Sequence, residues 1–277
     1  MPSKYQPQLS CWREDLYKGI YTTKLHLSNN KKLRFVNDDY CEFSRRLAGM
    51  NFYLRWILCL MLLFGVITSL FGVLFGLYFI IYSLGETSLS VLIGTTGLFT
   101  LYFFIQVILN LFYAPDDCPI RLNRKTGKIY VYEHLILYTG TWKFLKNSPF
   151  KAKTITIKEF DWADIQGVVT CVSAPIAKGG VIRNYRLECV VCEPNTTYVI
   201  DHFLLVMSSI LNYDEWMWIN SYMAFSDENL DKKLKPEDEF SWPIKVNWPE
   251  EIDKKSKASS LEEYQRIDDE YKKIKED

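Results

Sequence analysis

Cys189-Val190-Val191-Cys192 has the C-x-x-C spacing that holds zinc or runs thiol–disulfide exchange when both sulfurs converge. The pair lies inside Val181–Cys192, which alternates like a β-strand, and positions three apart on a strand face opposite sides of the sheet. A tetrahedral site needs four convergent ligands, and no second pair exists. The other cysteines (Cys11, Cys41, Cys59, Cys118 and Cys171) are scattered, and an odd total of 7 fits a reducing compartment better than a disulfide framework. Asp201-His202 offers a carboxylate beside an imidazole, but neighbours on a strand point apart. His26 and His134 stand alone, Lys178-Gly179-Gly180 is too short for a phosphate cradle, and no nucleophile elbow, P-loop or H-E-x-x-H occurs. The expectation is a protein that is not an enzyme, with no catalytic, metal-binding or cofactor-binding residue.

The elements that would have to position any such group are of two unlike materials. Of the 277 residues, Trp56–Gly85 and Thr87–Pro115 carry no charge and are separated only by Glu86. Runs of about 18 or more apolar residues read as membrane-spanning. The first span, 56–82, holds 17 Leu, Ile, Val or Phe residues and the second, 89–113, holds 15. At roughly −0.3 to −0.6 kcal/mol for each near a bilayer centre, insertion is favourable by several kcal/mol. The connection Ser83–Ser88, broken at Gly85, is too short for a domain, so the spans form an antiparallel hairpin over residues 56–115.

Formal charge cancels at 33 basic against 33 acidic residues, but not locally. Residues 1–55 hold 10 basic and 5 acidic, residues 116–211 hold 12 and 9, and residues 212–277 hold 11 and 18. Basic residues on both flanks of the hairpin, with none in its loop, place both flanks in the cytoplasm by the positive-inside rule. Some 55 polar residues before the apolar run are unlike a cleavable signal peptide. A nucleic-acid binder would gather its basic residues in one folded domain, so that class is set aside. Arg45, Arg46, Arg124, Lys125 and Lys128 are candidates for contact with lipid headgroups, each contributing about 1 kcal/mol at an anionic surface.

Within the hairpin, Gly65, Gly72 and Gly76 share one helical face, and Gly72–Gly76 is a G-x-x-x-G match that could drive dimerisation. Gly94 and Gly97 lie at the same depth as Gly72 and Gly76, which favours packing between the two helices of one chain. Gln106 and Asn110, one turn apart, are expected to bond across the hairpin or to meet headgroups. An ion path would want intramembrane charge, and there is none.

The remainder is expected to be α+β. Residues 116–225 form a β-rich domain: strands at 120–123 and 128–132 around Gly127, then 153–157, 166–172, 181–192 and 197–205. Asn212 and Glu215 form a capping box for a closing helix with Trp216, Ile219 and Met223 on its apolar stripe. Residues 1–55 contain a hairpin pattern, Tyr21–Leu27 and Lys32–Val36 around Ser28–Lys31. Residues 226–277 are a charged tail whose end, Ser260–Asp277, reads as a thin amphipathic helix, free or docked on a partner.

The hairpin, the segment Asp161-Trp162-Ala163-Asp164-Ile165-Gln166-Gly167-Val168, the run Arg121–Tyr130 and the helix Trp216–Met223 resemble an uncharacterised proteobacterial family. Its members pair a transmembrane hairpin with a pleckstrin-homology-like cytoplasmic domain, and their genes lie beside type VI secretion toxin genes. The resemblance covers about residues 20–225 and carries over no catalytic residue. It implies a two-pass inner-membrane immunity or accessory protein that binds a cognate protein toxin. The alternative is a membrane-anchored scaffold or lipid-binding module, with membrane lipids as partners.

Overall fold

Phe52–Tyr82 (α1) and Thr87–Tyr113 (α2) are antiparallel helices packed along their length. Each candidate span, Trp56–Tyr82 and Ser88–Tyr113, is long and apolar enough to cross a membrane. At about 1.5 Å per residue such helices exceed the ~30 Å hydrocarbon layer. A core helix of a soluble protein hides its apolar side chains. Here Leu60, Phe64, Phe71, Tyr82, Leu92 and Phe99 are exposed, which is the arrangement lipid would solvate. The computed structural model describes residues 2–22, 27, 32–45, 52–82, 87–115, 117–138, 148, 151, 153–175, 179–208, 210–226, 230 and 246–276. The expected loop Ser83–Glu86 falls outside them.

The helical hairpin interrupts a β-hairpin. Leu33–Val36 (β2) and Tyr40–Phe43 (β3) precede it; Ile120–Asn123 (β4), Lys128–His134 (β5) and Ile155–Asp161 (β6) follow it. These strands make one antiparallel sheet in chain order, with Phe43 opposite Ile120 and Tyr40 opposite Asn123 across the inserted helices. Gly127, at φ +68°, supplies the left-handed backbone of the β4–β5 turn. The second sheet, in the order β1-β7-β8-β9, comprises Trp12–Asp15, Ile165–Pro175, Val181–Cys192 and Val199–Ser208.

Two expectations need correction here. The amino-terminal hairpin is β2–β3, turned at Asn37, whose Oδ1 accepts from the Asp39 and Tyr40 amides. Tyr21, Thr22 and Leu27 are not in strands, and 23–26 and 28–31 lie outside the described residues. The closing helix, Asp214–Met223 (α3), is entered through Asn212 Oδ1, which accepts from the Asp214 amide at 2.9 Å. Glu215 does not close a capping box: it is buried and meets Lys32 Nζ at 2.9 Å, because an ammonium is a stronger partner for a buried carboxylate than an exposed amide.

The core lies between the sheets. Phe43, Ile120, Leu122, Ile129 and Val131 from one meet Ile165, Leu187, Cys189, Val191 and Phe203 from the other, and Trp216, Trp218, Ile219 and Tyr222 of α3 close it. Gly167 is where α3 seats. A Cβ there would stand 2.7 Å from the Trp216 ring, so the indole lies directly on the strand backbone.

Each sheet also has an outer face, and each is covered by a segment near one end of the chain. The Gln6 amide donates to the Thr197 carbonyl and its carbonyl accepts from the Val199 amide. The strap then crosses from β9 to the far edge as β1, laying Tyr5, Leu9 and Trp12 over Val168, Val190 and Cys192. The other outer face lies under Glu250–Ser256 (α4) and Leu261–Glu276 (α5). The tail is thus docked on its own domain.

Candidate functional site

Strand alternation places Tyr40 and Glu42 of β3, Arg121 and Asn123 of β4, Lys128, Tyr130 and Tyr132 of β5, and Glu159 of β6 on that outer face. The opposite side chains of the same strands fill the core, so pairing alone dictates this polar, aromatic surface. Between Leu33 and Phe35 the β2–β3 register slips by one residue, and Arg34 stands beside Glu42.

The result is a chain of alternating charge. Asp117, which follows α2, lies 3.1 Å from Arg34; Arg34 is 3.7 Å from Glu42; and Glu42 Oε2 accepts from Arg121 Nε at 3.0 Å and Nη2 at 2.8 Å. Arg121 Nη1 then donates out of the sheet to Asp253 Oδ1 at 2.8 Å and Ser256 Oγ at 2.6 Å, both on α4. Its guanidinium lies between the Tyr40 and Trp248 rings. Arginine suits this position because its fork serves two carboxylates while its flat faces stack on aromatics. Asn123 Nδ2 donates to the Ser256 and Ala258 carbonyls, and Tyr264 Oη to Glu159 at 2.6 Å.

At neutral pH electrostatics hold the tail helices to each other and, through Arg121, to the sheet. Burial pushes the Asp253 carboxyl up, but hydrogen bonds from Lys257 and Arg121 outweigh it and leave the group below the ordinary range. Hydrogen bonds from Lys255 and Lys272 lower Asp268, and those from Lys255 and Lys275 lower Glu251. Burial pushes the Tyr130 phenol far up, with the Glu159, Asp268 and Asp161 carboxylates adding to it.

The expected lipid contacts divide. Arg45 is a correction: its side chain is 1% exposed and donates to the carbonyls of Cys118 at 2.7 Å, Leu204 at 2.9 Å and Tyr132 at 2.6 Å. It ties the segment after α2 to both sheets and has no surface to offer a headgroup. Arg124 is also corrected. It is buried, donates to the Asp38 carbonyl, and stacks over the Tyr222 and Phe225 rings. Lys128 is paired with Asp161 at 2.8 Å. Lys125 is exposed, and Arg46 lies outside the described residues. Composition could not separate these roles, since an arginine that solvates carbonyls inside a domain and one that meets phosphate are the same letter.

The glycines act within the hairpin. A Cβ on Gly76 would lie 2.8 Å from Gly94 Cα, one on Gly97 3.0 Å from the Val73 amide nitrogen, and one on Gly65 3.0 Å from the Phe104 ring. A Cβ on Gly72 or Gly94 would meet nothing within 4 Å. Gln106 and Asn110 are fully buried, but the Asn110 amide donates back along its own helix to the Gln106 carbonyl at 2.8 Å, not across the hairpin.

The catalytic-looking pairs disperse. Cys189 belongs to the inter-sheet core and Cys192 to the cluster under the amino-terminal strap, on opposite faces of β8, and burial raises both thiols. Asp201 is held by Lys158 at 2.5 Å. No group of three metal-ligating side chains occurs among the described residues. Lys18, which nothing in the sequence singles out, is also perturbed: burial pulls its ammonium down to about 8. Its three hydrogen bonds run to the carbonyls of Trp162, Ala163 and Ile165, so it clamps the turn before β7.

A family model described as a family of unknown function (DUF6708) matches residues 98–242, just over half of the 277. The match begins within α2 and runs through β4–β9 and α3. No curated protein and no solved structure matches.

Proposed function

The chain belongs to the DUF6708 family of unknown function, and from that premise we propose that it is a non-enzymatic, two-pass inner-membrane protein that protects its own cell by binding a toxin delivered by type VI secretion. The observation that carries this reading is the insertion of α1–α2 between two strands that pair, Phe43 with Ile120. Such an insertion gathers the folded remainder at one end of the membrane hairpin, as a partner-binding domain held at a bilayer would require. The excess of Lys and Arg on both flanks supports a cytoplasmic position for that end.

The order of elements also supports a pleckstrin-homology-like domain. Strands β3–β6 run as one antiparallel meander, β7–β9 as a second, and α3 follows. On this reading the hairpin is an insertion between the first two strands. The dispersal of Cys189 from Cys192 and the pairing of Asp201 with Lys158 favour binding over catalysis.

A sibling-intoxication assay tests the proposal. Cells lacking this protein should die when the toxin encoded beside it is delivered, and regain survival when the gene is restored. Undiminished survival of the deletion strain would overturn it.

A further inference from the structure

The tail that covers the five-stranded sheet is held differently from everything else in the domain. None of the three hydrophobic clusters among the described residues contains a residue beyond Leu230. Residues 246–276 are attached instead by Arg121 to Asp253 and Ser256, by Asn123 to two carbonyls, by Tyr264 to Glu159, and by Trp248 against Tyr132. Contacts of this kind are directional and weakened by salt, and they fix register more than they add affinity. The stretch before them carries Pro236 and Pro243.

The fit is also incomplete. Beneath the tail Tyr130 Oη, and within it Trp248 Nε1, are buried with no hydrogen-bond partner among the described residues. Tyr130 is fully buried. An unsatisfied buried donor opposes the docked arrangement, and a segment that engaged it would displace one that does not. Along α5, Ile267 is buried while Leu261 and Ile274 of the same apolar stripe are exposed.

We infer that the outer face centred on Arg121 is a docking surface for a helix of a partner protein, and that residues 246–276 occupy it in the resting chain. The occupant defines the chemistry of its replacement. It is a helix carrying a carboxylate and a hydroxyl three residues apart, as Asp253 and Ser256 do, with an aromatic ring on its amino-terminal side to cover the guanidinium, as Trp248 does. The inference rests on the reading of this protein as a partner-binding one and names the surface that does the binding.

The test uses the full chain in nanodiscs and a labelled peptide of residues 246–277 as the probe. The wild-type chain, its face occupied, should take up the peptide weakly. Asp253→Lys weakens the resident tail without touching the sheet, and should raise peptide affinity on the order of tenfold. Adding Arg121→Met should abolish the gain while hydrogen exchange in β7–β9 stays protected, which shows that the domain remains folded. In the wild-type chain, amides of α4 and α5 should exchange faster than those of β4 and β5, and faster still in high salt. Exchange of tail and strands as one unit would overturn the inference. So would Asp253→Lys binding no more peptide than wild type, or a tail that leaves the sheet only for anionic vesicles. Peptide uptake without protection in the intoxication assay would leave the surface standing and remove the toxin reading. Protection without uptake would remove the surface alone.

Discussion

Gly76 of α1 meets Gly94 of α2 so closely that a Cβ on Gly76 would lie 2.8 Å from the Gly94 Cα, whereas a Cβ on Gly94 would meet nothing within 4 Å. The two residues share a depth and a contact but not a tolerance. This asymmetry separates packing within the hairpin from dimerisation through G-x-x-x-G, in which Gly72 and Gly76 would be equally sensitive.

Gly76→Ile should therefore force the helices apart at a cost of about 1–3 kcal/mol, the usual range for overpacking. Gly72→Ala and Gly94→Ala should be close to neutral. Thermal unfolding in detergent, followed by helicity, checks this; equal sensitivity at 72 and 76 would point to a dimer instead.

Arg45→Met removes a buried cation and leaves the Cys118, Leu204 and Tyr132 carbonyls without their donor. The expected loss is about 3–5 kcal/mol, the range for breaking a buried charged contact from one side. Lys125→Ala, at an exposed position, should change stability by no more than about 0.5 kcal/mol. Urea unfolding of the two variants in detergent makes the comparison. A stable Arg45→Met chain with weakened binding to anionic vesicles would restore the headgroup reading.

Gly167→Ala places a methyl where the Trp216 ring now lies. Either α3 lifts or the strand bends, and about 1–3 kcal/mol should be lost. Near-ultraviolet circular dichroism reports the displaced indole, and a midpoint equal to wild type would show that the contact is slack.

The tail should be sensitive to acid, through the Asp253–Arg121 contact with the sheet and through the ion pairs that join α4 to α5. Asp253, Asp268 and Glu251 all titrate below their ordinary range in the folded chain. Each lowered carboxyl therefore contributes stability that is present above its unfolded value, about 4, and is lost as pH falls through the folded one. Hydrogen exchange between pH 6 and pH 3, corrected for intrinsic rates, should show α4 and α5 opening first on acidification. Protection that did not change across that window would contradict the assignment.

The spans, the α+β class and most strands of residues 116–225 were legible in the sequence, because each follows from neighbours in the chain. An uncharged run of this length declares a helix long and apolar enough to cross a membrane, and alternation over Val181–Cys192 declares a strand wherever it ends up. The dispersal of Cys189 and Cys192 was legible for the same reason. Only the tertiary structure decided that β3 pairs with β4 across the helical hairpin, that Arg45 turns inward to three carbonyls, and that α4 settles on Arg121. Those outcomes join residues far apart in the chain. A charge or a pleat records what a residue can bond, while its partner is chosen by which surfaces the rest of the fold brings within reach.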